Sequence, residues 1–254
     1  MKLLTLARDL RRRKARERHR LFVAEGARAV SELLRSPLAV RGLLVSPQLA
    51  DGVRTALAEA AVRRNVPVAE VTDAELASAA DTESPQGVVA VGEPPARSLD
   101  DLRPGTTTRV LLLDALQDPG NVGTILRTAA ALRADATLAL PGTVDLWNAK
   151  VVRSAMGALF HHPVYASTWH EAAAFLDRWN IELWAADAAG ASPEAAGERP
   201  ARLALAVGNE GAGLSAEARG RAARLVGLPI APVVDSLNVA VATGILLYEL
   251  RPHS

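Results

Sequence analysis

Apolar residues in this chain alternate between short continuous runs and helical spacing. Leu3, Leu6, Ala7 and Leu10 recur at i, i+3, i+4 and i+7, so the chain is predicted to begin as an amphipathic helix. Residues 21–26 (LFVAEG) read as a strand, 27–35 as a helix ending before Ser36-Pro37, and 41–46 as a strand. A helix at 51–64, a strand at 66–71, a helix at 73–80 and a strand at 87–92 follow. This alternation predicts a small α/β domain over residues 1–95. Residues 93–107 hold three prolines and a glycine without apolar periodicity. They read as a linker, with 96–107 as the linker proper.

RVLLLDAL (109–116) opens a second pattern, an almost unbroken apolar run of the kind that is buried on both faces of a parallel sheet. Further strands are predicted near 136–140, 163–167, 181–186, 202–207 and 225–230. Helices are predicted at 122–132, 148–158, 170–179, 215–223 and 237–250. Residues 108–254 are therefore expected to form a larger α/β domain with helices covering a mostly parallel sheet.

Composition narrows the class. A chain of 254 residues, 49% hydrophobic and 22% charged, suits one large or two modest globular domains. No run of about 18 apolar residues is present, so no membrane span is expected. The opening MKLLTLARDLRRRK puts its charges after a short apolar stretch, unlike a signal peptide. The absence of cysteine excludes disulfides and thiolate metal sites. A cytosolic protein without metal is the expectation.

Charge adds a candidate partner. Arg8, Arg11, Arg12, Arg13, Lys14, Arg16, Arg18 and Arg20 face only Asp9 and Glu17 within residues 8–20. That segment carries +6 in a chain of net +1, which leaves −5 on the rest. An Arg-dominated block on a mildly acidic body suits a phosphate backbone, because the guanidinium fork grips phosphate oxygens bidentately. Arg11, Arg12, Arg13, Lys14, Arg16 and Arg20 are the candidate nucleic-acid contacts. The plain alternative is a solvated helix face.

Three motifs carry candidate chemistry. In LDALQDPGNVGTILRTAAAL (113–132) a strand ends at Asp114, Asp118-Pro119-Gly120-Asn121 makes a turn, and Arg127 projects from the helix that follows. In LALAVGNEGAGLS (203–215) a strand ends in Gly208-Asn209-Glu210-Gly211-Ala212-Gly213, whose glycines permit close backbone approach to a ligand. The order GxxGxG and its late position argue against a dinucleotide site. In LPIAPVVDSLNVAVATGILLYEL (228–250) a loop runs from Pro229-Ile230 to Ser236-Leu237-Asn238. Ser236 is expected to cap a helix that is apolar nearly all round. Each motif has an ordinary reading as well: a strand-turn-helix junction, a surface turn in which Glu210 caps the next helix, and a buried core helix.

The three together, in this order after strands, resemble the SpoU (TrmH-like) family of SPOUT RNA 2′-O-ribose methyltransferases. TVDLWNAKVVRSAMGALFHHPV (143–164) resembles the stretch between that family's first two motifs, and FVAEGARAVSELL with ESPQGVVAV resembles its accessory substrate-binding domain. The resemblance implies an α/β domain with a deep trefoil knot, S-adenosylmethionine as cofactor, and a homodimer through the last helix. It implies methyl transfer to a ribose 2′-hydroxyl of RNA, with ribosomal RNA favoured over transfer RNA. It assigns catalytic roles to Asn121, Arg127, Glu210, Ser236 and Asn238. It assigns cofactor contacts to Leu140, Gly208, Asn209, Gly211, Leu228, Ile230, Ser236 and Leu237. A guanidinium stays protonated, so Arg127 is expected to hold a phosphate and polarise the hydroxyl, with Glu210 orienting Arg127 or Asn121.

Two positions depart from the family pattern. Arg133 stands where a glycine is usual, at a cost of about 1–2 kcal/mol if its backbone is left-handed. Ala149 stands where a proline is common. Two other functions remain open at this level: RNA binding without catalysis, and methylation of a base nitrogen on the same fold.

Overall fold

The computed structural model describes residues 2–251, and the chain divides into two compact units. One comprises residues up to 96 together with 145–161, and the other comprises 97–144 together with 162 onward.

The first unit opens with α1 (Leu3–Asp9) and α2 (Arg13–His19), so the basic segment is two short helices. Extended backbone at Arg12 (φ −89°, ψ 133°) separates them. Then come β1 (Phe22–Glu25), α3 (Ala27–Arg35), β2 (Val40–Val45), α4 (Asp51–Arg63), β3 (Val68–Glu70), α5 (Asp73–Ala79) and β4 (Val88–Gly92). The sheet order is β1-β4-β2-β3, with β4 antiparallel to both neighbours and β2 parallel to β3. The apolar spacing of α1 turns Ala7 and Leu10 inward against Val23, Leu44, Leu76 and Val89. Thr72 and Glu75 close a reciprocal capping box at the start of α5.

The second unit carries β5 (Thr108–Asp114), α6 (Pro119–Ala131) and β6 (Ala136–Ala139). After α7 (Ala149–Ser154), which belongs to the first unit, it resumes with β7 (Val164–Ala166), α8 (Trp169–Arg178) and β8 (Glu182–Ala191). It ends with β9 (Arg202–Gly208), α9 (Ala216–Arg221), β10 (Arg224–Val226) and α10 (Val239–Glu249). The sheet order is β10-β8-β9-β5-β6-β7, and every pairing is parallel. All seven residues of β5 are buried, the apolar run Val110–Leu113 together with Thr108, Arg109 and Asp114 at its ends. The chain lays β6 and β7 on one side of β5, then crosses back to place β9 on the other. The strand order therefore reverses between β5 and β9, and ligands of open parallel sheets bind beyond the carboxyl ends of the strands at such a point.

Three details correct the sequence expectations. The last strand ends at Val226, not at Ile230. The last helix begins at Val239, and its cap is Asn238, whose side chain accepts from the N–H groups of Ala240 and Val241; Ser236 is not the cap. Ser215, not Glu210, caps α9. Two expectations have a clear local setting. Arg133 has φ 60°, the left-handed conformation, just past the end of α6. Ala149 is the first residue of α7 after the cap Asn148, the helical position proline tolerates best.

Residues 145–161 are knitted into the first unit. The ring of Phe22 lies 4.5 Å from Trp147 and 5.7 Å from Phe160, centroid to centroid. Arg16 is buried, pairs with Asp145 at 2.7 Å, and also donates to the carbonyls of Leu10 and Arg11. This corrects its reading as an RNA contact, because the guanidinium is used inside the unit.

Candidate functional site

The site is built where β5 and β9 end side by side. Beyond Asp114 the chain turns through Ala115 in left-handed backbone (φ 59°) and reaches Asp118. Asp118 caps α6 by accepting from the Asn121 N–H, and Pro119 takes the first helical position. Asn209 braces this turn from the neighbouring strand: its amide donates to the Ala115 carbonyl at 2.8 Å and accepts from the N–H groups of Gly211 and Ala212. Gly208 passes so close to Gly213 that a Cβ on it would fall on the Gly213 carbonyl, so only glycine fits.

Glu210 fastens the second motif to the first. Its carboxylate accepts from the N–H groups of Gln117 (3.2 Å) and Asp118 (3.1 Å) and from the side-chain amide of Asn121 (3.2 Å). Partial burial works to raise its pKa. Its own N–H, the Asn121 amide and the N–H groups of Gln117 and Asp118 together outweigh that and hold it below the usual carboxylate range. Asn121 continues the chain by accepting from the Asn238 amide at 3.0 Å. One hydrogen-bonded line, Glu210–Asn121–Asn238, thus ties the three motifs together. Glu210 orients Asn121, and no bond joins it to Arg127.

Beside this line opens a cleft of about 570 Å³. Asn121, Gly208, Asn209, Glu210, Gly211, Leu228, Ile230, Ser236, Leu237 and Asn238 all line it, so ten of the twelve residues predicted for catalysis or cofactor binding come together. The other two do not. Leu140 is buried in the hydrophobic core, donates to the Leu113 carbonyl and lies outside the cleft wall. Arg127 stands exposed on α6, also outside the lining.

The cleft also includes residues that the motifs did not reveal. Ala186, Asp187 and Ala188 line it from the far end of β8, and Asp187 pairs with Arg219 at 2.5 Å. Val226 and Gly227 contribute from the end of β10, and Ala242, Thr243 and Leu246 from α10. The available signal was positional: each strand residue sits toward the carboxyl end of a parallel strand, on the same end of the sheet as the β5/β9 reversal.

The wall suits a flexible, part-polar ligand. Among the described residues the backbone N–H and C=O groups of Leu228 and Ile230 have no hydrogen-bond partner, yet both residues line the cleft. Backbone groups left open in a concave wall are ready to bind polar edges of a ligand. Among the described residues no group of three or more His, Cys, Asp or Glu could hold a metal ion, and no helix is long and apolar enough to cross a membrane.

Sheet, reversal point and cleft define an α/β protein that binds its ligand at the carboxyl ends of parallel strands. The chain belongs to the SpoU rRNA Methylase family, whose pattern matches residues 108–248, and residues 5–90 match the MRM3-like substrate binding domain. It is 34% identical over 242 residues to the 23S rRNA (guanosine(2553)-2'-O)-methyltransferase RlmP of Bacillus subtilis, covering 95% of this chain and 93% of that protein. The AdoMet-bound rRNA methyltransferase of Sinorhizobium meliloti has a similar structure, with TM-score 0.87 and 31% identity over 98% of this chain and 94% of that one. The SpoU methyltransferase AviRb of Streptomyces viridochromogenes, in complex with AdoMet, gives TM-score 0.84 and 29% identity over 97% and 96%. The chain is thus a SPOUT-type methyltransferase of this family.

Proposed function

We propose that this protein methylates a ribose 2′-hydroxyl of ribosomal RNA, with residues 1–95, joined by 145–161, binding the RNA and the rest of residues 108–254 carrying the chemistry. The observation that supports this most strongly is the hydrogen-bonded line Glu210–Asn121–Asn238, which joins the three motifs at the lip of one cleft. When bound, S-adenosylmethionine supplies an electrophilic methyl group. The residues with open backbone groups, Leu228 and Ile230, together with Gly208, Asn209, Gly211, Ser236 and Leu237, are the proposed holders of the cofactor.

The protein's part in the reaction is chiefly positioning. A rigid line of amides fixes the turn at 115–118 and the start of α10 relative to one another. Asn121 and Asn238 then present polar groups to the ribose at a fixed spacing. Arg127 grips the phosphate next to the target nucleotide and polarises its hydroxyl, since a guanidinium cannot accept the proton.

The reading includes a homodimer. Leu237, Val241, Ile245 and Tyr248 are exposed, and on α10 the last three form one apolar stripe. A second copy covers this stripe. α10 packs on α6, where the position of a Cβ at Gly244 lies 3.3 Å from Thr128, the chain neighbour of Arg127. In this arrangement Arg127 serves the cleft of the partner. A threaded, knotted C-terminal segment and a cytoplasmic location complete the reading.

Incubation with S-adenosylmethionine bearing a tritiated methyl group and ribosomal RNA from cells lacking the gene tests the proposal. Label in an alkali-resistant dinucleotide is the expected product. Label in alkali-labile mononucleotides means base methylation, and RNA binding without label means a binder without catalysis.

A further inference from the structure

A second concavity lies in the first unit, a groove of about 380 Å³ whose wall includes Arg16, Glu17, Arg20, Pro94, Pro95 and Trp147. Its volume falls in the range of small-ligand clefts, about 300–1,000 Å³. Trp147 is half-buried, and its ring is backed by Phe22 at 4.5 Å. The ring is therefore held rigid while part of it faces the groove. Its indole N–H has no hydrogen-bond partner among the described residues. Trp147 and two prolines give the groove flat, apolar surfaces.

The charges of the groove are already sorted. Asp145 is matched by Arg16 at 2.7 Å, Glu17 by Arg13 at 2.7 Å, and Glu93 by Arg41. Arg20 is exposed and has no partner among the described residues. It ends α2 in left-handed backbone (φ 52°) with its N–H on the Arg16 carbonyl, so its Cα is fixed at the rim. Free carboxylates would repel a polyanion, but here each is neutralised and one cation is left over. Segment 8–20, to which Arg16, Glu17 and Arg20 belong, carries a net +6 in all.

From these observations we propose that this groove is a nucleotide-binding subsite: one unpaired base of single-stranded RNA stacks on Trp147, and the adjoining phosphate sits on Arg20. A rigid aromatic surface beside a basic path is how proteins hold single-stranded nucleic acid, and it tolerates any base because every base has a π-face. The inference rests on the reading of RNA as substrate. It adds that the accessory unit captures an unpaired nucleotide and not duplex backbone alone.

The test uses the full-length protein, a fluorescein-labelled 12-nucleotide oligouridylate and fluorescence anisotropy at several salt concentrations. Trp147→Leu is expected to weaken binding about five- to a hundred-fold, the effect of losing one base–aromatic stack. Trp147→Phe keeps an aromatic surface and stays within about threefold of wild type. Arg20→Ala lowers the slope of log affinity against log salt by about one phosphate contact. Thermal melts followed by circular dichroism report that each variant still folds. If Trp147→Leu unfolds, photocrosslinking of a 4-thiouridine oligonucleotide to the wild type decides: adducts within 16–21, 93–96 or 145–147 support the subsite, and crosslinked protein with no adduct in these segments overturns it. If the wild type binds and methylates RNA while Trp147→Leu and Arg20→Ala match it, the subsite alone is overturned. If the wild type neither binds nor methylates RNA, the RNA reading falls and the subsite with it.

Discussion

Asn121→Asp probes the core of the site with the loss of no heavy atom. In the native protein the Asn121 amide donates to the Glu210 carboxylate at 3.2 Å. The substitution replaces that donor with an oxygen, so two carboxylates face each other at hydrogen-bond distance. Their repulsion is about 1–5 kcal/mol, taking an effective dielectric constant between about 20 and 80 at that separation. The site is partly open to water, which favours the lower half of that range. The repulsion loosens the turn at 117–118, which Glu210 also holds through two N–H groups. At pH 8 we expect kcat/KM for methyl transfer to fall at least about tenfold, the equivalent of 1.4 kcal/mol. Two carboxylates in contact raise the pKa of the pair, and a shared proton converts repulsion into a hydrogen bond. The defect should therefore shrink as the pH falls to 6, while the wild type, whose Glu210 pKa is held low, shows no such recovery. Steady-state transfer of tritiated methyl groups to ribosomal RNA at pH 6, 7 and 8 measures this. Wild-type activity at every pH, or an equal loss at pH 6 and 8, would refute the reasoning.

Three further outcomes follow from local geometry. Arg133→Gly relieves a left-handed backbone position and should stabilise the protein by about 1 kcal/mol, seen as a rise in Tm of about 2–4 °C; a lower Tm sinks the strain argument. His162 is buried, hydrogen-bonded to Thr137 at 2.8 Å, and desolvation, with help from Arg97, lowers its pKa to about 4. The unfolded chain binds this proton more tightly, so about 3 kcal/mol of stability, present above pH 6.5, is lost as the pH falls toward 4; denaturant titrations of wild type and His162→Gln across that window should differ in slope, and identical slopes exclude the effect. Arg16→Ala removes one partner of a buried ion pair and should cost about 3–5 kcal/mol, whereas Lys14→Ala on the exposed face should weaken RNA binding without changing Tm; chemical denaturation and anisotropy separate the two.

Much of the fold was legible because its elements are consistent at several levels. The run at 109–116 reads as a doubly buried strand, and as far as Asp114 it is one; the helices predicted at 27–35 and 51–64 form as Ala27–Arg35 and Asp51–Arg63. What misled were positions decided by tertiary contacts. Ser236 carries a capping side chain, but Asn238 is the residue drawn into the line with Asn121, and so the helix starts there. Arg16 looks like its basic neighbours, and only the fold reveals that Asp145, 129 residues away, meets it. The resemblance offered Asn121 as a partner of Glu210, but nothing in the exposed turn pointed to the Gln117 and Asp118 N–H groups, because they lie on another strand's loop. The β8 end of the cleft was silent in sequence, since AADAA has no motif character; its place follows from strand order alone.

The most direct test of the central claim is a map of 2′-O-methylated riboses in ribosomal RNA from cells with the gene, without it, and complemented by the wild type or by Arg127→Ala. The account predicts that one ribose methyl disappears on deletion, returns with the wild type and does not return with Arg127→Ala. An unchanged map, or a lost methyl group that proves to lie on a base, would contradict it.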